Sequence, residues 1–280
     1  MNPTDRPALL HTAFYRFTPV ADPAAFAEAI KGLARGLHGS ILVAGEGING
    51  AVSGETAAVH AFEAALQQPA LLGGALAGMA FKRSGCVTAP FGKLKVVVKP
   101  EIVALALPGA EGLPLPDETD GTHVSPQAWR ELLARDDVVL LDNRNHFEYR
   151  LGHFRGAADP EVRRFSDLVS WVQAHAPEWR AQGRPVAMYC TGGIRCDKTA
   201  PWLRSLGLEV MQLEGGILNY FQQLDDADRD WLGECFVFDK RIALDTHLAE
   251  TPTAAEQVYD AADSGEAWRL ERARRLDQFE

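Results

Sequence analysis

The chain has 280 residues, 46% of them hydrophobic, and a formal net charge of −10. That length accommodates two modest domains, each with a core of its own. The negative charge excludes a protein that coats nucleic acid non-specifically, because phosphates repel an acidic surface; a local basic face stays open. Cysteines at positions 86, 190, 196 and 235 are too few for a disulfide framework. No apolar run reaches the length of a membrane span, and Met1 to Pro7 lacks the apolar stretch of a signal peptide. A cytoplasmic protein with reduced thiols and no membrane attachment is expected.

Taken in order, His11 to Phe17 alternates as a strand does. Asp22-Pro23 then supplies an N-cap followed by proline, predicting a helix to about Gly36. Gly39 to Ala44 is the next strand, and Gly45-Glu46-Gly47-Ile48-Asn49-Gly50 is a glycine-rich turn into a third. That turn lacks the lysine and hydroxyl residue of a phosphate loop. A second helix opens at Ser53-Gly54-Glu55 and places Val59, Phe62, Ala65 and Leu66 on one face. With Leu94 to Val98 as the fourth strand, the order is the split βαβ of ferredoxin-like domains, assigned to residues 1–106.

Lys82, Arg83, Lys93, Lys95 and Lys99 occur with no acidic residue between them, in a chain that is acidic elsewhere. In a strand, Lys93 and Lys95 share a face opposite Leu94. Lys82, Arg83, Lys93 and Lys95 are candidates to meet RNA phosphates; the alternative is a solvated outer face.

Proline, glycine and acidic residues dominate residues 107–124, which read as a linker. A second, parallel α/β domain is expected over 125–250. Ser125-Pro126 caps a helix through Leu133, Val138 to Leu141 is a short apolar strand, and a helix runs from about Ser166 to His175. Strands at Val186 and at Leu208 to Leu213 follow, and residues 251–280 are a polar, peripheral tail.

The chemistry concentrates in Tyr189-Cys190-Thr191-Gly192-Gly193-Ile194-Arg195-Cys196, where an apolar strand ends in a cysteine, two glycines and an arginine, and helical spacing starts behind them. Glycines let such a loop turn its N–H groups toward one point, and a helix N-terminus adds its dipole. A cysteine at that point, here Cys190, has its thiolate favoured and becomes a nucleophile, with Arg195 a further source of positive charge. Cys196 is either a resolving thiol or a small apolar residue of the helix's first turn. His146-x-Glu148 invites an iron-ligand reading, but the spacing is short and no third ligand stands out, so no metal is assigned.

The Cys190 to Arg195 loop resembles the active-site loop of rhodaneses, in which the cysteine carries persulfide sulfur. It is one residue shorter than the Cys-x5-Arg loop of cysteine phosphatases, so sulfur chemistry is favoured over phosphate hydrolysis. The segment from Asp142 to Ala157 matches the rhodanese pattern Asp-x-Arg…Glu…Gly-His-x-x-Gly-Ala. By that resemblance Asp142 and Arg144 are a structural pair near the active-site entrance, and Glu148 and His153 are scaffold.

Tyr189 to Lys198, Gln212 to Tyr220, Gly233 to Asp239 and the Glu46 to Gly50 turn together are similar to the rhodanese-containing tRNA uridine hydroxylases. The resemblance implies oxygen-dependent hydroxylation of the wobble uridine to 5-hydroxyuridine. Cys190 is required, molecular oxygen is the co-substrate, no further cofactor is identifiable, and the anticodon loop of tRNA is the partner. No protein partner is identifiable. The rivals are a sulfurtransferase acting on a thiol acceptor and a non-catalytic tRNA-binding module, and intact Cys190 and Arg195 argue against the latter.

Overall fold

The computed structural model describes residues 9–110, 113–117 and 119–277; the expectations for Met1 to Pro7, for Glu111, Gly112 and Glu118 in the linker and for the last three residues fall outside them. The chain divides into two units, one built on residues 9–102 with Asp239–Arg241, the other on Val103–Phe238 with Ile242–Arg274.

In the first unit, β1 (Leu9–Phe17), α1 (Pro23–Leu33), β2 (His38–Ala44), β3 (Gly47–Glu55), α2 (Thr56–Leu66), β4 (Phe81–Cys86) and β5 (Leu94–Val98) form a five-stranded sheet in the order β4-β1-β3-β2-β5. The Asp22 carboxylate accepts the N–H groups of Ala24 and Ala25 at 3.1 and 2.9 Å, so α1 starts where the cap was read. Phe26 and Ile30 of α1 and Val59, Phe62 and Leu66 of α2 pack on Phe14, Ile41, Ile48 and Val52 of the sheet.

The strand that closes the split βαβ is β4, antiparallel to β1, whereas Leu94–Val98 is a fifth strand running parallel to β2 on the opposite edge. Phe-Lys-Arg-Ser-Gly-Cys has no apolar alternation, and as an edge strand it needs little, because backbone pairing with β1 on one side holds it.

That topology separates the four candidate cations. Lys82 and Arg83 lie on one edge of the sheet, while Lys95 lies on the other with Lys93 just before its strand. Arg83 is bound by the buried Glu63 carboxylate at 2.7 Å, and the Lys82 ammonium stands 4.9 Å from the Tyr15 ring centre. The four cations do not make one face.

The Glu46 to Gly50 turn has a structural task. The Glu46 carboxylate accepts the Ile102 N–H and the Asn49 amide donates to the Ile102 carbonyl, both at 2.9 Å, so one residue is gripped at both polar groups. Gly47 has φ of 144°, and a Cβ there would run into the Arg16 carbonyl.

In the second unit, β6 (His123–Val124), β7 (Val139–Asp142), β9 (Val186–Tyr189) and β10 (Val210–Leu213) form a parallel sheet in the order β6-β10-β9-β7. Around it lie α3 (Pro126–Leu133), α4 (His146–Leu151), α5 (Leu168–Ala181), α6 (Ile194–Ser205) and α7 (Gly216–Gln223). The short strands β8 (Gly152–Phe154) and β11 (Trp231–Gly233) pair with each other, as do β12 (Cys235–Phe236) and β13 (Ala243–Leu244).

Helix α5 continues past His175 through Pro177, with Val172, Ala176 and Trp179 buried against the sheet. The expected linker is not free chain: Leu105 is buried in this core, Leu107 and Leu113 pack on it, and His123–Val124 is an edge strand. Nor is the expected tail peripheral. Val258 and Tyr259 beside α8 (Ala255–Val258) and Leu270 of α9 (Ser264–Asp277) are buried with Phe147 and Phe236. Scattered singly among polar residues, these apolar side chains have no periodicity from which to read a helix face.

Burial lowers the pKa of His11 to about 4, helped by the Arg241 charge and opposed by Asp239. The folded state therefore binds fewer protons than the unfolded chain between about pH 4 and 6.5, and stability falls with pH through that window. The urea midpoint is expected to drop between pH 6.5 and 4, and His11→Gln to flatten part of that slope. An unchanged slope would show that His11 charges without cost.

Candidate active site

Strand β9 is buried along its whole length and lies between β10 and β7, so the loop leaving its carboxyl end emerges from the centre of the sheet. Cys190 ends the strand and is 1% exposed. Gly193 takes φ of 99° immediately before α6, and its N–H donates to Cys190 Sγ at 3.1 Å. Backbone N–H groups of Arg195 and Cys196 and the Cys196 thiol also bond the Cys190 sulfur.

The loop is held from behind by α7. Ile217 N–H donates to the Cys190 carbonyl at 3.0 Å and Leu218 N–H to the Thr191 carbonyl at 3.1 Å. In a trans peptide the N–H points away from its C=O, so anchoring these carbonyls turns the following amides of Thr191 and Gly192 away from α7. A Cβ on Gly216 would stand 2.5 Å from the Cys190 carbonyl oxygen and 2.7 Å from Gly193 N, so only glycine lets α7 approach this closely.

Burial pushes the Cys190 thiol up; the Cys196 S–H, the Arg195 charge and the two amides pull it down, and the balance leaves it at about 6. Burial and the adjacent Cys190 hold Cys196 well above the ordinary thiol range. Cys196 is therefore a hydrogen-bond donor to the Cys190 sulfur, a role that neither expected reading of it contained. The Asn143 amide supports it, 3.7 Å from Cys196 Sγ and 3.3 Å from Thr199 Oγ1.

Arg195 is not an open anion clamp. Its guanidinium is paired at two points with the buried Glu148 carboxylate, at 2.8 and 2.9 Å, and lies 5.5 and 6.0 Å from the Phe238 and Phe165 rings. Glu148 Oε2 also accepts the Asn145 N–H at 3.2 Å, while His146 Nδ1 is bound to Asp159 at 2.6 Å. These donors are engaged separately, and among the described residues no three His, Cys, Asp or Glu side chains gather as metal ligands would.

Asp142 and Arg144 form a two-point ion pair at 2.7 and 2.9 Å, with the guanidinium over the Tyr189 and Trp231 rings and bound to the Gly152 carbonyl. Both are 0% exposed, so the pair is interior and does not border an entrance. His153 stacks on Tyr149 with ring centres 3.8 Å apart. Burial raises Cys235 to about 12, partly offset by the Arg144 charge. Ile194 and Thr191 complete the loop, half-buried.

Residues 9–102 match the family profile described as a UPF0176 acylphosphatase like domain, and residues 125–223 match the Rhodanese-like domain. A tRNA uridine(34) hydroxylase of Nitrobacter winogradskyi is 44% identical over 253 residues, covering 89% of this chain and 96% of that protein. The chain belongs to the tRNA uridine(34) hydroxylase family. The similarly named protein of Synechococcus elongatus is 45% identical across 85% of this chain and 86% of its own length. That of Jannaschia is 41% identical across 86% and 77%. In this family member the split βαβ and rhodanese-like units are the two matched domains, and Cys190 lies within the residues matched by the second.

Iodoacetamide labelling of Cys190 is expected to follow a thiolate titration centred near pH 6, level at neutral pH and falling below it. Cys196→Ala removes a donor and should move that midpoint upward, whereas Cys196→Ser keeps one and should move it less. A midpoint at the usual thiol value of about 8.5 would contradict the geometry. Glu148→Gln leaves the Arg195 charge buried without its partner, so denaturant unfolding should show a loss of about 3 kcal/mol or more. A wild-type unfolding midpoint in Glu148→Gln would mean that the pair is not holding the loop.

Proposed function

We propose that this protein hydroxylates uridine 34 of tRNA at C5, with the anticodon loop as the recognised element and molecular oxygen as the co-substrate. It is then a tRNA-modifying oxidoreductase with 5-hydroxyuridine as product. The observation that carries this reading is the Cys190 sulfur held by converging N–H donors, with its pKa lowered to about 6, in a chain of the tRNA uridine(34) hydroxylase family.

The chemistry follows from what a thiolate does to a uracil ring. Uracil C5 is a poor nucleophile because the C5–C6 double bond is conjugated with the C4 carbonyl. Attack of the Cys190 thiolate on C6 forms a C–S bond and moves the double-bond electrons to C5, as an enolate with the C4 oxygen. An external reductant supplies two electrons and two protons that take molecular oxygen to the peroxide level; C5 attacks one peroxide oxygen, the O–O bond breaks, and the other oxygen leaves as water. Loss of the C5 proton and departure of the thiolate restore the double bond. A thiolate with a lowered pKa suits both ends of the sequence, since it is available at neutral pH and is a good leaving group.

Mass analysis of tRNA nucleosides from cells lacking the protein is expected to show loss of 5-hydroxyuridine and of nucleosides built on it. Wild-type protein should restore them and Cys190→Ser should not. An anticodon stem-loop containing 5-fluorouridine at position 34 should leave a covalent protein–RNA adduct, because fluorine at C5 cannot depart as a proton does. Restoration by Cys190→Ser would overturn the assignment of the nucleophile. Turnover without any adduct would place the chemistry on a Cys190 persulfide. Thiosulfate-to-cyanide sulfur transfer in the absence of tRNA hydroxylation would favour the sulfurtransferase.

A further inference from the structure

Among the described residues, two aromatic side chains are exposed beyond a third of their surface, Phe238 at 58% and Trp268 at 41%. Both belong to one contiguous run of aromatic and arginine side chains. Phe238 packs edge-on against Phe236 at 4.9 Å between ring centres, and Phe236 does the same against Phe147 at 5.1 Å. The Arg269 guanidinium lies 5.0 Å from the Phe147 ring and 4.6 Å from that of Trp268. At the other end Phe238 stands 5.5 Å from the Arg195 guanidinium, and the Arg195 backbone N–H is one of the donors to the Cys190 sulfur. One residue therefore separates an exposed aromatic ring from the nucleophile.

The charge along this run departs from that of the chain. Against a net charge of −10, residues 269–274 of α9 carry three arginines and one acid, Glu271, with Arg274 paired to Glu256 at 2.8 Å, and exposed Arg164 precedes Phe165, which itself lies 6.0 Å from Arg195. Arg269 also donates to the Arg163 carbonyl at 3.2 Å, which ties the helix to this loop.

We propose that the surface from Phe238 to Trp268 is the RNA-docking face, with Phe238 stacking on a base next to the target uridine and Arg269 and Arg164 meeting the flanking phosphates. Single-stranded nucleic acid takes this pattern, since each base offers a π-face and each linkage a negative charge. A protein partner would not need cations alternating with exposed rings at the edge of a nucleophile's nest. The proposal rests on the tRNA reading above and places the substrate contacts on the unit that carries Cys190, where the divided cations of the first unit gave no common face.

Fluorescence anisotropy with a synthetic anticodon stem-loop containing uridine 34 tests it. Phe238→Ala is expected to weaken binding about tenfold, the scale of one stacked base, and Phe238→Trp to retain it. Arg164→Glu should reduce the slope of log affinity against log salt by about 0.7, the share of one phosphate on a single strand. Iodoacetamide labelling of Cys190 reports whether the nest stays intact, and if Phe238→Ala loses it, the salt slope of Arg164→Glu decides. Wild-type affinity in Phe238→Ala, a Phe238→Trp as weak as the alanine variant, or an unchanged slope would overturn the surface while the hydroxylase reading stands. A wild-type protein that neither binds the stem-loop nor modifies tRNA would overturn both.

Discussion

A thiolate buried to 1% exposure is costly, and the second unit is arranged so that the cost is met by fixed dipoles rather than by water. Gly193 N–H at 3.1 Å, the amides of Arg195 and Cys196 and the Cys196 thiol converge on one sulfur. Each is held by something else: Gly193 by a positive φ, the amides by the first turn of α6, and the thiol by the Asn143 amide. Remove the convergence and burial alone drives Cys190 upward, as it does Cys235.

The two interior ion pairs serve different purposes. Asp142 and Arg144 are sealed under Tyr189 and Trp231 and tie the end of β7 to the Gly152 carbonyl. Glu148 and Arg195 join α4 to the first turn of α6, next to Cys190. A buried pair of this kind adds little net stability over an apolar contact, but it is costly to break, so its geometry is enforced. Arg195 therefore contributes positive potential to Cys190 while its hydrogen-bonding edge is spent on Glu148. An anion arriving at the loop meets amides first and a neutralised arginine second, the reverse of a loop that clamps phosphate with a free guanidinium.

The α7 contact shows how a glycine far along the chain shapes the nest. Gly216 lets two amides of α7 bond the carbonyls of Cys190 and Thr191, and the amides of the loop face the other way as a result. The Glu46–Asn49 clamp on Ile102 is a comparable device in the first unit, where a glycine-rich turn grips the residue at which the first unit's contacts end. Both strings are rich in glycine because a backbone has to come close, and in neither is the glycine itself part of the chemistry.

Local patterns encode local backbone states. The Asp22-Pro23 cap, the alternation of His11 to Phe17, the apolar strand into Cys190 and the glycine pair behind it specify backbone states within a few residues, and the structure has them where they were read. Pairings between distant residues arise only when the chain has folded. Glu148 and Arg195 lie 47 positions apart, and nothing in either segment names the other. The edge strand β4 has polar composition because its partner, not its pattern, makes it a strand, and its place opposite β5 divides cations that look contiguous in sequence. The tail helix looks peripheral because Val258, Tyr259 and Leu270 become a face only once α4 supplies Phe147. The physical reason is the same in each case: propensity and periodicity act over one or two turns of chain, whereas burial and ion pairing depend on which surfaces meet when the chain closes on itself.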